Sequence, residues 1–241
     1  MSPTPDAGKA GPPARHRVRR FLRDNGLGLF FLTTFLLALA GQAVAGHADF
    51  NNQLLTDGMA PISFGAYVTS SDFAVDVTEN WQSEYLQFFL YISATVWLLQ
   101  RGSPESKKLD KAGTESDKDQ KVGEHAKHDS PRWAAATDWR GYVYSRSLGL
   151  VMGCIFLLSW LAQSITGVAA YNEQQLRQLQ APSTWADYVS SADFWSRTLQ
   201  NWQSELLAVA SMAILAIYLR QRGSPESKPV GASHEATGVE G

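Results

Sequence analysis

The residues best suited to bind an ion or solute lie in a polar pentapeptide that occurs twice in the sequence. Asn-Trp-Gln-Ser-Glu occurs at residues 80–84 and again at residues 201–205, each time just before an apolar stretch. A carboxylate at membrane depth is costly, so Glu84 and Glu205 are candidates for an ion or solute site. A purely structural role is the alternative, because tryptophan favours membrane interfaces and polar pairs commonly hold membrane helices together.

Two glutamines extend this candidate site. Gln42 and Gln163 lie about one turn from the outer ends of two other apolar stretches, at the depth expected for Glu84 and Glu205. We therefore expect Gln42 to donate a hydrogen bond to Glu84, and Gln163 to Glu205. The predicted polar intramembrane site consists of Gln42, Asn80, Trp81, Glu84, Gln163, Asn201, Trp202 and Glu205.

Several other chemistries have no support in the sequence. None of the common nucleotide-binding, hydrolase or zinc-protease motifs is present, so we expect no catalytic residues. The single Cys154 cannot form an intramolecular disulfide, and no further ligands are expected to converge on His125 and His128, so we expect no metal or cofactor. The net charge of −2 does not indicate nucleic-acid binding.

Four apolar stretches predict membrane-spanning helices, at residues 27–46, 85–99, 148–170 and 206–219. A span needs roughly 20 apolar residues, which the first and third supply. Trp81 and Trp202 extend the shorter second and fourth into the interface. The first stretch has a rival interpretation as a cleavable signal peptide, because arginines precede it and Ala43-Val44-Ala45 resembles a cleavage site.

An internal duplication organises the chain. Residues 27–107 align without a gap on residues 148–228, with 34 identities in 81 positions. Each copy holds two predicted spans, so both copies enter the membrane from the same side. The first stretch aligns with an internal one, which favours an uncleaved span. We therefore predict an all-α fold, a four-helix transmembrane bundle built from two tandem parallel helical-hairpin repeats.

Local signals place the ends of the helices. Ser70 and Ser191, each followed by an acidic residue, are typical helix N-caps. The predicted helix from Ser70 to Gln100 is longer than the hydrocarbon core, so we expect helices to project on the outer side. Gly149 and Gly153 form a GxxxG pattern that indicates close helix packing, within the bundle or between protomers.

The positions of the basic residues predict the orientation. Nineteen of the 21 Lys and Arg lie on the side of the termini and central linker, and only Arg177 and Arg197 lie in the opposite loops. The positive-inside rule then places both termini in the cytoplasm of a multi-pass inner-membrane protein. The predicted segments are a disordered tail at residues 1–20, repeat 1 at 21–101, a disordered charged linker at 102–138, repeat 2 at 139–222 and a disordered tail at 223–241.

The duplicated Asn-Trp-Gln-Ser-Glu motif, followed in the first copy by Tyr85-Leu86-Gln87, resembles a family of small bacterial membrane proteins of unknown function. The resemblance implies a bacterial inner-membrane location and supplies no catalytic residues. We expect a non-enzymatic membrane scaffold or interaction protein, with the lipid bilayer and a second copy or an envelope protein as partners. The alternative is a small ion or solute channel or transporter that uses Glu84 and Glu205. An enzyme acting on lipid or envelope substrates is the third and weakest hypothesis.

Overall fold

The secondary structure is helical throughout the described part of the chain. The computed structural model describes residues 14–108, 110, 111, 113 and 115–239. Within them the chain forms nine α-helices and one short 3-10 helix at Gly123–His125, and no described residue lies in a β-strand. The predicted all-α class is confirmed. Residues 1–13 of the predicted N-terminal tail and residues 240–241 of the C-terminal tail lie outside the described residues.

The contacts divide the chain into two compact units, with the boundary after Thr69. The described helices of the first unit are α1 (Ala14–Asp24), α2 (Gly26–Thr56) and α3 (Phe64–Val68). Those of the second unit are α4 (Ser71–Ala94), α5 (Asp117–Gln120), α6 (Trp139–Ser145), α7 (Ser147–Arg177), α8 (Trp185–Val189) and α9 (Ala192–Tyr218).

The duplication in the sequence recurs in the helix bounds. Both ends of α2 and of α3 lie 121 positions before the ends of α7 and α8, and α4 begins 121 positions before α9. The N-caps predicted for α4 and α9 are confirmed. Ser70 Oγ accepts a hydrogen bond from the backbone N–H of Phe73, and Ser191 Oγ accepts one from Phe194, each at 3.2 Å.

An asparagine near the end of each long first helix binds the loop that follows. Asn51 Oδ1 accepts from the backbone N–H of Ile62 at 2.8 Å, and its amide donates to the Ile62 carbonyl at 3.1 Å. Asn172 makes the same two bonds with Ser183, at 2.7 and 2.9 Å. These paired bonds satisfy the backbone N–H and carbonyl of one loop residue, so the loop is held against the helix in the same way in both copies.

A glycine and a tyrosine pack against each other in each copy. A Cβ added to Gly167 would lie 2.5 Å from the Tyr188 hydroxyl oxygen, and one added to Gly46 would lie 2.2 Å from that of Tyr67. Both tyrosines are buried. Glycine is therefore required at both positions for the short helix to pack on the long one.

The helix predicted from Ser70 to Gln100 is shorter than expected, because α4 ends at Ala94. The backbone N–H of Trp97 bonds to the Ala94 carbonyl in a tight turn, and the Val96 carbonyl accepts from the N–H of Gly113. Thr95 Oγ1 also bonds to the Tyr91 carbonyl. A tight turn and a bond to the linker thus follow the last helical bonds of α4.

The main helix packing in the second unit joins the two copies. Helix α4, from the first copy, packs most extensively against α7, from the second copy, and also contacts α9. The closest pairing therefore crosses between the copies.

Two of the described helices, α2 and α7, are long and apolar enough to cross a membrane. Only 6% of the most apolar stretch of α2 and 22% of that of α7 are buried, whereas the core helix of a soluble protein is mostly buried. The second predicted span begins in α4 but continues five residues beyond its end, and all but the last residue of the fourth lies in α9. The same measure of length and hydropathy selects neither helix.

The two duplicated Arg-Gly-Ser-Pro-Glu-Ser-Lys segments fold into similar loops. In each loop the second serine hydroxyl accepts from a backbone N–H six residues earlier, from Gln100 to Ser106 and from Gln221 to Ser227. The lysine that ends each segment donates to carbonyl groups of the following chain. Gly102 N–H also donates to Thr237 Oγ1, so the C-terminal segment lies on the first copy's loop.

Candidate functional site

The two copies of Asn-Trp-Gln-Ser-Glu lie in α4 and α9 but occupy different surroundings. In the first copy Gln82 and Ser83 are 0% and 2% exposed, while Trp81 and Glu84 are exposed. In the second copy Gln203 and Ser204 are exposed. The first copy of the motif therefore buries Gln82 and Ser83, neither of which was predicted as a site residue.

Gln82 connects α4 to α9. Its Oε1 accepts a hydrogen bond from the indole N–H of Trp202 at 2.8 Å. Val75 and Leu86 are buried on the same helix, and their spacing from Gln82 places all three on one face of α4. This spacing is the sequence signal by which Gln82 could have been recognised as inward-facing.

Gln163 is fully buried in the middle of α7. Its amide N–H donates to Thr198 Oγ1 on α9 at 3.4 Å, so the predicted bond from Gln163 to Glu205 is wrong. Thr198 precedes Glu205 by seven residues, which is about 10 Å along a helix. The error came from assuming equal depths for Gln163 and Glu205, because the packing places Gln163 beside a residue two turns nearer the start of α9.

Gln42 lies on α2 and is half-buried. Its predicted bond to Glu84 stays a prediction.

Asn80 and Asn201 each donate to the backbone of their own helix, Asn80 to the Asp76 carbonyl at 2.6 Å and Asn201 to the Arg197 carbonyl at 3.0 Å. These amide groups are therefore committed to their own helices in the same way in both copies.

The carboxylates of Glu84 and Glu205 are close enough to repel each other electrostatically. Glu84 is exposed and Glu205 is half-buried. The structure thus brings the two glutamates of the duplicated motif into one region, on neighbouring helices α4 and α9.

An aromatic cluster surrounds Trp160 of α7. The Trp160 ring lies 5.7 Å from Phe156, 6.2 Å from Phe194, 6.0 Å from Trp195 and 5.8 Å from Trp202, measured between ring centroids. Within the second copy, α7 and α9 therefore pack against each other through large aromatic side chains.

A charged cluster lies beyond the apolar stretches, centred on Arg197 of α9. The guanidinium lies 3.1 Å from Glu79 and 3.8 Å from Asp76 of α4, and 3.7 Å from Asp193 of its own helix. Burial raises the pKa values of Asp76 and Glu79, and Arg197 only partly offsets that effect. Burial alone would lower the pKa of Arg197, but Glu79, Asp193 and Tyr188 together outweigh this effect, so the pKa is raised.

Asp72 lies at the edge of this cluster in a less favourable setting. Burial and the nearby Glu173 raise its pKa, and Arg177 and Arg197 offset the effect only in part. Its Oδ2 atom is buried and has no hydrogen-bond partner among the described residues. The charge of Asp72 is therefore poorly compensated in the folded chain.

The GxxxG glycines face α4. A Cβ added to Gly153 would lie 3.1 Å from carbon atoms of the Phe89 ring, and one added to Gly149 would lie 4.0 Å from Ile92. The two helices thus approach closely at Gly153.

Metal ligands do not converge in the described part of the chain. Within those residues no group of three or more His, Cys, Asp or Glu side chains could hold a metal ion. Cys154 is exposed on α7.

Comparisons with known proteins identify a family and no activity. No curated protein and no solved structure matches the chain. Residues 18–239 match the family described as Domain of unknown function (DUF6766). The matched residues include both copies of the repeat. The chain therefore belongs to this uncharacterised family.

Proposed function

We propose that this protein is a multi-pass protein of the bacterial cytoplasmic membrane and acts there as a non-enzymatic scaffold. The observation that carries the membrane location is the exposed apolar surface of α2 and α7. Such surface is unfavourable in water and is satisfied by lipid. The apolar halves of α4 and α9 complete a proposed four-helix bundle, because each follows its long partner in the duplicated order.

The orientation follows from the distribution of basic residues. Nineteen Lys and Arg lie on the side of the termini and linker, which makes that side cytoplasmic. The loops at residues 46–84 and 167–205 then face outward. Helix α2 continues from Gly26 to Thr56, through the stretch that resembles a signal-peptide cleavage site, which favours an uncleaved span.

Accessibility labelling of single cysteines tests this topology. In a Cys154→Ser background, cysteines replace Asp57, Asp187 or Ser130, and intact cells are treated with a membrane-impermeant maleimide. We expect labelling at positions 57 and 187, and labelling at 130 only after permeabilisation. Labelling of 57 and 187 from opposite faces contradicts the topology, as does a mature chain that begins near residue 46.

The charge of the outward loops indicates the kind of partner. Residues 46–84 and 167–205 contain ten acidic residues and two arginines, a net charge of −8. In the second unit several of these carboxylates gather around one guanidinium, that of Arg197. An acidic surface attracts a partner of opposite charge, so the proposed partner is an envelope protein with a basic surface.

Site-specific photo-crosslinking in cells tests the scaffold proposal. A benzophenone amino acid replaces the exposed Gln180 in the outward loop, and a matched control probe replaces the exposed Lys127 in the linker. We expect a discrete adduct with a basic protein at position 180 that is weakened when Asp187 and Asp193 become Asn. An adduct whose yield is unchanged by these substitutions contradicts the proposal. A protein that always purifies without a partner also contradicts it.

A small ion or solute pathway is the second candidate function, and the proximity of Glu84 and Glu205 favours it. Two neighbouring carboxylates near the start of the apolar stretches could bind a cation in transit. Cation flux into liposomes that contain the purified protein tests this pathway. Glu84→Gln and Glu205→Gln should each abolish the flux, whereas Glu124→Gln, in the exposed linker, should leave it unchanged. Equal flux through all variants contradicts this function.

A further inference from the structure

Three buried polar atoms have no hydrogen-bond partner at the junction of α4, α7 and α9. They are Gln82 Nε2, Gln163 Oε1 and Trp160 Nε1, and none bonds to any group in the described part of the chain. Both glutamines are 0% exposed. Unpaired buried polar groups are costly, and more so in a chain surrounded by lipid. A group or molecule that bonded to these three atoms would therefore stabilise the junction.

The remaining bonds of the two glutamines direct both side chains to the same helix, α9. Gln82 accepts from Trp202, and Gln163 donates to Thr198. Thr198 and Trp202 are four residues apart on α9, so they share a face and lie about 6 Å apart along the helix. The two amide groups consequently bond to residues that lie one turn apart on α9.

Trp160 lies at the same junction. It precedes Gln163 by three residues on α7, which places both on one face of that helix. Its ring is 5.8 Å from the ring of Trp202, whose N–H bonds to Gln82. Trp160 thus places a second unpaired donor on the face of α7 that carries Gln163.

The orientation of the Gln82 amide is set by its neighbour. The indole N–H of Trp202 can only donate, so the atom of Gln82 that faces it must be the oxygen. The nitrogen of Gln82 is therefore the unpaired atom, and the junction offers two donors and one acceptor.

We propose that one water molecule binds at this junction. It accepts hydrogen bonds from Gln82 Nε2 and Trp160 Nε1 and donates one to Gln163 Oε1. Three bonds are typical of a buried water. The amide and indole groups carry no formal charge, so a small neutral ligand that both accepts and donates fits them better than an ion. The water completes a chain of bonds from Trp202 through Gln82 and Gln163 to Thr198, and this chain links the first copy to the second.

A structure of the full-length protein in lipid nanodiscs, at a resolution that shows ordered waters, tests the proposal directly. We expect a density peak within hydrogen-bond distance of both Gln82 Nε2 and Gln163 Oε1. A direct bond between the two amides overturns the proposal, as does a side chain that fills the space between them.

Solution NMR supplies an independent readout on the wild-type chain. With ¹⁵N labels on glutamine side chains and tryptophan indoles, we expect cross-peaks between water and both Gln82 and Trp160. Gln163→Met should weaken or abolish these cross-peaks because it removes the acceptor. Gln203→Met, at the exposed equivalent of Gln82 in the second copy, should leave them unchanged. Missing cross-peaks in the wild type overturn the proposal even if a variant fails to fold.

Discussion

Arg197 and Asp76 occupy equivalent positions in the two copies of the repeat, and their side chains meet across the contact between α9 and α4, 3.8 Å apart. Identical residues at these positions would place like charges together. The copies have instead diverged to opposite charges, and Arg197 also contacts Glu79 and Asp193. One guanidinium therefore compensates three carboxylates at the junction of the copies.

Replacement of Arg197 should destabilise the contact between the copies. Arg197→Ala leaves three carboxylates facing one another, and Arg197→Asp adds a fourth. We expect Arg197→Ala to lower the free energy of unfolding by roughly 1 kcal/mol, because the cluster is partly exposed and screened, and Arg197→Asp to lower it further. Thermal unfolding in mild detergent measures both effects.

A reciprocal exchange serves as the control for that experiment. Arg197→Asp combined with Asp76→Arg restores opposite charges across the contact, so the double variant should recover part of the stability lost in Arg197→Asp. Exact additivity of the two single substitutions would show that these side chains do not interact.

Asp72 should destabilise the fold at neutral pH. Its pKa is raised in the folded chain, so the folded state binds a proton more tightly than the unfolded state. Stability is therefore gained as the pH falls through the interval between the ordinary and the raised pKa, and the penalty is complete above that interval. We expect Asp72→Asn to stabilise the protein at pH 7 by on the order of 1 kcal/mol and to remove this contribution to the pH dependence.

The equivalent residue in the second copy provides a matched comparison. Asp193 lies 3.7 Å from Arg197, so Asp193→Asn removes a favourable contact and should be neutral or destabilising. Unfolding temperatures of both variants between pH 4 and about 7 measure the contrast. Destabilisation by Asp72→Asn at pH 7 would contradict the uncompensated charge inferred here.

Gly153 should be intolerant of a large side chain. A Cβ at this position meets the Phe89 ring at 3.1 Å, so Gly153→Leu must separate α7 from α4. We expect a loss of roughly 1–3 kcal/mol, typical of overpacking. Gly149→Ala is the control, because its Cβ would make an ordinary contact with Ile92 and alanine favours the helix. Equal stability of Gly153→Leu and the wild type would contradict the close approach.

Lys228 should hold the C-terminal segment in place. Its side-chain ammonium group donates to the carbonyl groups of Ser233, His234 and Ala236, and the residue is 1% exposed. Lys228→Ala removes these bonds, so backbone amides of residues 232–238 should exchange with deuterium at least about tenfold faster. Lys127→Ala, at an exposed linker position, should leave this exchange unchanged. Slow exchange in both variants would show that the segment is held by other contacts.

Much of the local structure follows from the sequence, because its causes lie within a few residues. The serine N-caps are set by neighbouring side chains, and the recurrence of the helices follows from the duplication. Ser70 and Ser191 cap their helices as predicted, and the helix bounds recur at the same offset of 121 residues.

The surroundings of the duplicated motif were decided only by the tertiary structure. The two copies of Asn-Trp-Gln-Ser-Glu carry the same local information, yet Gln82 is buried and Gln203 is exposed. Helical periodicity predicts which residues share a face but not which helix that face meets. Because α4 packs on α7 of the other copy, Gln82 faces inward and Gln163 bonds to Thr198 in place of Glu205.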